Sequence, residues 1–408
     1  MTVPDDLPPM GVEEEYFLTS AGSRAVVDGA SAILPGATAL LGDRFSGELM
    51  ECQVEAKTPP CTTLEQVHGH LTAMRAAVTK AAGAQGLRIH ASGTPVLGLR
   101  DSARLRDDPR YLAAHATFRA RTEGAVISAT HVHVQVPGRE EAVLVGNHLR
   151  PWLPALVALS ANSPFWAERD TGYASWRIMA AHALPVFGPP PYFASLDHYE
   201  QVASRLREAE AVVDEGMLFW DVRPCTHLPT VEIRVMDAVA DAEAVAALAA
   251  LIRATVVTAL TRVYRGDPGP VLEEPALSTA YWRAARDGLL GFGVDVRHGR
   301  LLRAPELVAQ LVRYARPTLA EYGELGPVCR VLRRWCRLGG GAAVQRAAFG
   351  RRGHLRDVVD DLTSATAGVL TDFGAADSGA CRGGGQETDR VAPAPVAVDD
   401  ITGETVSG

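Results

Sequence analysis

Three stretches of the chain set acids, imidazoles and a guanidinium two residues apart among apolar and β-branched residues. They are Gly11-Val12-Glu13-Glu14-Glu15-Tyr16-Phe17-Leu18, Thr130-His131-Val132-His133-Val134-Gln135-Val136 and Thr230-Val231-Glu232-Ile233-Arg234-Val235-Met236-Asp237. In a strand, residues i and i+2 share a face. Glu13 with Glu15, His131 with His133, and Glu232 with Arg234 therefore point the same way, while mostly apolar neighbours face the other side. Cys52-Gln53-Val54-Glu55 repeats the arrangement. An unpartnered buried charge is costly, so a face of this kind must enclose something ionic, wet or catalytic.

Glu13, Glu15, Glu55 and Glu232 come from three separate strands and repel one another unless cations lie between them. Magnesium takes oxygen ligands and is commonly held by one or two carboxylates plus nucleotide phosphates, which points to phosphoryl transfer. The bland alternative is a solvated strand edge, and for Glu14, which faces the other way, that is the preferred reading. His131 and His133 lack the third ligand of a zinc site, since no HExxH motif or cysteine cluster accompanies them. Imidazoles beside phosphates or a substrate carboxylate are the simpler reading, against core histidines with satisfied hydrogen bonds. Arg234 is either an internal partner for Glu232 or a fork for a carboxylate or migrating phosphoryl group. Arg177, in Asp170-Thr171-Gly172-Tyr173-Ala174-Ser175-Trp176-Arg177, is a candidate for a substrate carboxylate, and Arg223 a weaker one.

The elements that must position these residues read as follows. Thr62-Thr63-Leu64-Glu65 looks like a capping box with Thr62 as N-cap, opening a helix that ends at Gly83 or Gly86. Leu87 to Ser92 reads as a strand and 107–121 as a helix. Glu140 to Ala161 is a helix interrupted by Pro151, followed by a long irregular segment of the kind that is usually functional. Leu196 to Val213 is helical. Asp241-Ala242-Glu243 opens a strongly apolar helix, Pro305 to Arg316 is a helix stopped by Pro317, and Arg352 to Leu370 is another. Gly339-Gly340-Gly341 is no P-loop, because no Lys-Ser/Thr follows, so it suits a hinge or helix terminus. Strands and helices that do not alternate strictly imply an α+β fold. Residues 1–373 form one catalytic domain on this reading, and 374–408 a disordered tail without periodicity.

Net charge of −8 argues against a nucleic-acid binder. The six cysteines form no CxxC pair, no signal peptide is expected before Gly11, and no run of about 18 apolar residues suggests a membrane span. A cytoplasmic protein with reduced thiols is expected.

Several motifs in order resemble the type 2 glutamate–cysteine ligases, also called carboxylate-amine ligases. They are Gly-Val-Glu-Glu-Glu at 11–15, Gln-Val-Glu-Ala-Lys-Thr-Pro at 53–59, Thr-His-Val-His-Val at 130–134, Asn-His-Leu-Arg-Pro-Trp-Leu-Pro at 147–154, Leu-Ser-Ala-Asn-Ser-Pro-Phe-Trp at 159–166, the stretch 170–177, Trp-Asp-Val-Arg-Pro at 220–224 and Leu-Pro-Thr-Val-Glu-Ile-Arg-Val-Met-Asp at 228–237. The likeness runs from about residue 9 to 362. It implies a glutamine-synthetase-like curved antiparallel sheet forming a funnel with helices around it. It also implies ATP- and Mg2+- (or Mn2+-) dependent amide formation through an acyl phosphate, with glutamate and cysteine as default substrates. By position, Glu13, Glu15, Glu55 and Glu232 match metal ligands, His131 an imidazole near the reacting phosphate, and Arg234 the group stabilising transferred charge. Arg177, His133, Gln53 and Glu48 fall near the substrates, with Glu48 beside the amine acceptor, while adenine contacts are unknown. The pattern breaks at Lys57, where a small polar residue such as Asn is expected, and at 177–182, which lacks the family's aromatics. Lys57 shares a face with Gln53 and Glu55 and is a candidate to reset substrate preference or replace part of a metal's role. Other amino-acid pairs in specialised metabolism, a non-catalytic amino-acid or nucleotide binder, and homo-oligomerisation stay open.

Overall fold

The computed structural model describes residues 7–98, 103–123, 126–182 and 184–369. The proposed tail at 374–408 lies outside them. The architecture is α+β, built on a seven-stranded antiparallel sheet. Its strands are β1 (Met10–Ser20), β2 (Phe45–Gly47), β3 (Gln53–Lys57), β4 (Leu87–His90), β5 (Ala129–Gln135), β6 (Val222–Pro224) and β7 (Thr230–Asp237). The spatial order is β2-β3-β1-β5-β7-β6, with β4 also paired to β1.

Alternation splits this sheet into two chemically different faces. Val12, Tyr16, Leu18, Val54, Ala56, Val132, Val134, Val231 and Ile233 belong to the apolar core on one side. Helices Leu64–Gly83, Arg139–Leu149, Leu153–Ser160 and Ala242–Tyr264 pack there. Burying this much aliphatic surface removes any freedom of register, because a slip of one residue would turn every acid into the core.

Glu14 corrects the expectation of a solvated acid. It is buried beneath the sheet, where its carboxylate accepts from Arg75 Nε at 2.9 Å, Arg75 Nη2 at 2.5 Å and Tyr16 Oη at 2.5 Å. The Arg75 guanidinium also donates to the carbonyls of Val239 and Ala240, which ties the Leu64–Gly83 helix to the chain leaving β7. Removing one partner of such a pair strands a buried charge. Glu14→Gln is therefore expected to cost about 3–5 kcal/mol in urea unfolding, and a loss under about 1 kcal/mol, the scale of an exposed pair, would contradict this.

Local expectations were corrected where tertiary contacts outweigh propensity. The N-cap of the Leu64–Gly83 helix is Thr63, whose hydroxyl accepts from Gln66 N, while the Gln66 side chain reaches back to Thr62 N. Pro317 does not stop its helix, which runs Ala304–Glu321 and carries Leu319 into the core. The Leu196 helix ends at Glu208. Arg352 ends one helix (Gly340–Arg352), and left-handed Gly353 separates it from Leu355–Thr366. Gly339, at φ +80°, joins Leu325–Leu338 to Gly340–Arg352, the helix-terminus role expected of the glycine run. Contrary to the hydropathy reading, Ala242–Tyr264 is long and apolar enough to cross a membrane, but most of it is buried inside the fold as a core helix. Among the described residues all cysteines are free thiols.

Candidate active site

Strand register assembles the polar face. Glu13 stands opposite Lys57 on β3 and opposite His131 on β5, and Glu15 opposite Glu55. His133 pairs with Glu232, which pairs in turn with Arg223 on β6. Between β5 and β7 the ladder slips: Thr130 faces Met236 but Val132 faces Ile233, so Arg234 and Val235 together oppose His131. This bulge breaks the alternation just after Glu232.

Glu13, Glu15, Glu48, Gln53, Glu55, Lys57, His131, His133, Arg177, Glu232 and Arg234 all line one cleft of about 560 Å³. Sequence reasoning missed others on its walls, among them Arg106, Arg110, Tyr111, Phe187, Cys225 and His227. None carried a signal: Arg110 and Tyr111 lie in the first turn of the helix Pro109–Phe118, whose approach to the cleft no alternation shows, and the others come from connecting segments.

His131 is the hub. Its Nδ1 lies 3.4 Å from Glu13 Oε2 and 4.0 Å from Glu232 Oε1, and its Nε2 lies 3.7 Å from Glu15 Oε1. Two ligand sets result, Glu13/His131/Glu232 and Glu15/Glu55/His131, each with one donor atom per residue within 4.8 Å of the others. Carboxylate oxygens joined by one imidazole nitrogen suit Mg2+ or Mn2+ better than a site of thiolates would. The donors present thus fit a divalent ion.

Electrostatics divides the acids. Burial would raise Glu13, but the hydrogen bonds and charges of His131 and His133 hold it well below the usual range. Burial likewise works against Glu232, yet the guanidinium charges of Arg234 and Arg223 keep its pKa low. For Glu15 and Glu55 burial wins and pushes each up to about 7. His131 falls to about 4 through burial and the nearby Arg234 charge, so it is neutral and can lend a lone pair. In His133 burial is outweighed by hydrogen bonds to Cys225 and Glu13, which lift it to about 10.

A pH dependence follows. Glu15 and Glu55 titrate above their unfolded value, so their contribution to stability is present at low pH and is lost as pH rises through about 7. A divalent ion needs both as carboxylates and must displace their protons at pH 6 but hardly at pH 8. Mn2+ is therefore expected to raise the thermal midpoint more at pH 8 than at pH 6, and an equal rise at both would contradict the picture.

The remaining predicted residues occupy distinct stations. Lys57 Nζ lies 2.8 Å from Glu55 Oε2 and 3.3 Å from Glu13 Oε1, an internal cation between the two ligand sets. Arg177 is buried, and its guanidinium donates to the carbonyls of Arg234 (3.1 Å) and Val235 (3.2 Å), the two bulge residues. Gln53 donates to Ile127 O and Ser128 Oγ in the wall. Glu48 accepts from Leu49 N, and burial together with the charges of Glu55 and Glu15 raises its pKa well above the usual value. Arg223 donates to Glu232 and to the carbonyls of Glu215, Gly216 and Leu218.

The profile of glutamate–cysteine ligase family 2 matches residues 9–361. A Saccharopolyspora erythraea relative bearing the provisional name glutamate–cysteine ligase 2-2 is 41% identical over 362 residues, covering 88% of this chain and 92% of its own. A second from the same organism, provisionally glutamate–cysteine ligase 2-1, is 38% identical over 364 residues, covering 86% and 93%. Among solved structures, a Francisella tularensis glutamate–cysteine ligase in complex with AMP shares the fold at TM-score 0.66, with 12% identity and 92% coverage of both chains. A bifunctional glutathione synthetase from Pasteurella multocida gives TM-score 0.56 at 14% identity, covering 88% of this chain and 56% of that one. The fold and the family match are of the amino-acid ligase type. This chain belongs to glutamate–cysteine ligase family 2.

Proposed function

We propose that the protein is an ATP-dependent carboxylate–amine ligase that joins an amino-acid carboxylate to an amine through an acyl phosphate, with glutamate and cysteine as the default pair. The observation that carries this reading is the convergence of Glu13, Glu15, Glu55 and Glu232 on His131, beside Arg234, in one cleft. An AMP complex of a ligase with the same fold adds support for nucleotide use.

On this reading Glu13, His131 and Glu232 would hold one divalent ion and Glu15, Glu55 and His131 would border a second, where such ions would supply neutralisation of charge on the phosphate oxygens. Neutral His131 offers the lone pair of one ring nitrogen to the cluster. Arg234 stabilises the negative charge that develops on the transferred group, and Glu232 aims its guanidinium. Arg177 keeps the bulge in shape by taking up the carbonyls of Arg234 and Val235. Nothing requires a covalent enzyme intermediate. The reading further takes residues 1–373 as one catalytic domain working in the cytoplasm on small substrates.

The test is a coupled ADP-release screen with L-glutamate and varied amines. ADP formation that needs both substrates is expected. Release without an amine, or none with any pair, would overturn the reading. The Lys57 ammonium, which already neutralises Glu13 and Glu55, favours a second reading: a different amino-acid pair, or a non-catalytic amino-acid or nucleotide binder. The same screen with other acids separates the two.

A further inference from the structure

The cations around the acid cluster differ in what they hold. Arg177 takes up backbone carbonyls, and Arg223 and Arg234 both serve Glu232. Lys57 instead spans two acids from neighbouring strands, with Nζ 2.8 Å from Glu55 Oε2 and 3.3 Å from Glu13 Oε1. Register explains the placement. Glu13 on β1 stands opposite Lys57 at the end of β3, and Glu15 stands opposite Glu55. Glu13 and Glu55 are therefore diagonal neighbours, and Lys57, two residues from Glu55, shares their face. The two carboxylate side chains are 16% and 8% exposed, whereas the lysine is half-exposed. The ammonium thus reaches into the gap between them from its outer rim.

The carboxylate oxygens are shared out accordingly. On Glu13, Oε1 meets Lys57, while Oε2 meets His131 Nδ1 at 3.4 Å. On Glu55, Oε2 takes Lys57 and also accepts from Ser46 Oγ at 3.2 Å. The sets Glu13/His131/Glu232 and Glu15/Glu55/His131 both close on the imidazole, so the ammonium has a position of its own beside them. A bridge between two carboxylate oxygens is where a hard divalent ion is at home. An ion entering this gap would meet a like charge tethered through β3 to the same face.

We propose that the Lys57 ammonium is a built-in substitute for a divalent ion between Glu13 and Glu55, so that the acid cluster takes one ion fewer than its carboxylates could hold; this rests on the metal-dependent reading above. A tethered cation is present at any metal concentration. It also carries one charge where an ion carries two, which leaves more negative charge in the cluster for the ions at the His131 sets. Lys57 therefore sets how many ions the site holds.

The test counts bound Mn2+ at pH 8, by calorimetry and by the paramagnetic resonance signal of the free ion, on protein without nucleotide or substrate. Wild type is compared with Lys57→Thr and Lys57→Arg. Threonine suits a strand and is too short to fill the gap, while arginine keeps the charge. Lys57→Thr is expected to bind one Mn2+ more per chain than wild type, and Lys57→Arg the same number. Without metal, Lys57→Thr should melt below wild type, because the two acids then face each other, and Mn2+ should raise its midpoint by more. If that variant is unfolded without metal, Mn2+ must restore a cooperative melt, and failure to do so overturns the assignment. An equal or smaller count for Lys57→Thr overturns it too, as does an extra ion in Lys57→Arg. No Mn2+ on either wild type or Lys57→Thr sinks the metal reading along with it. The ligase reading stands or falls separately in the ADP-release screen, on which the count does not depend.

Discussion

Arg234→Lys is expected to lower kcat by about 10²–10³-fold, the loss typical of removing one preorganised donor from developing charge, while the KM for ATP stays within a few-fold. Lysine keeps the charge but not the planar fork. The Arg234 guanidinium is bound to Glu232, and the backbone N–H of the residue donates to Asp221 O at 2.8 Å. Its carbonyl is held by Arg177, so the side chain leaves a clamped bulge in one direction. Burial works against its charge, but the Glu232 carboxylate and the charges of Glu15 and Glu13 outweigh it and raise its pKa, which keeps it cationic at any working pH. The measurement is steady-state ADP release, with single-turnover acyl-phosphate trapping to separate chemistry from binding. A variant with unchanged kcat and a raised KM would mean that Arg234 only binds ground-state substrate.

Much of this site was legible because a strand has a period of two. Glu13, Glu15, His131, His133 and Glu232 share a face by that rule alone, and the structure puts them there. Lys57 could be placed beside Glu55 on the same ground, and it pairs with it. Glu14 was misjudged because the same rule says which way a side chain points but not what waits for it. Only the packed helix reveals Arg75. Arg177 was visible as an arginine in a functional loop, yet its carbonyl partners are created by a bulge that no alternation pattern announces. Arg106 reaches the cleft from a connecting segment and Arg110 from the first turn of the helix Pro109–Phe118, and tertiary packing sets the path of both. Likewise, Pro317 ends helices in isolation but not where Leu319 gains a core site beyond it.

Glu13 and Glu232 look equivalent as metal ligands, but their removal is expected to differ in kind. Glu232 is buried between two guanidiniums, with Arg223 Nε at 2.9 Å and Arg234 on its other oxygen. Arg223 in turn holds the 215–218 turn through three carbonyls. Glu232→Ala therefore leaves two buried cations facing each other, and breaking a buried pair in this way costs about 3–5 kcal/mol, a large share of the ~5–15 kcal/mol that holds a domain together. Among the described residues Glu13 pairs with the imidazoles of His131 and His133 and with the half-exposed Lys57, so Glu13→Gln leaves no guanidinium stranded. The expected result is a pair of inactive variants of opposite character. Glu13→Gln melts near wild type and fails to gain stability from Mn2+, whereas Glu232→Ala melts well below wild type before any metal is added. Thermal unfolding with and without Mn2+ distinguishes them. Should Glu232→Ala melt like wild type, its carboxylate would be a simple ligand, and Arg223 and Arg234 would be held by other partners. Glu232→Gln then becomes the informative comparison, since it keeps an acceptor for both guanidiniums while removing the charge that an ion requires.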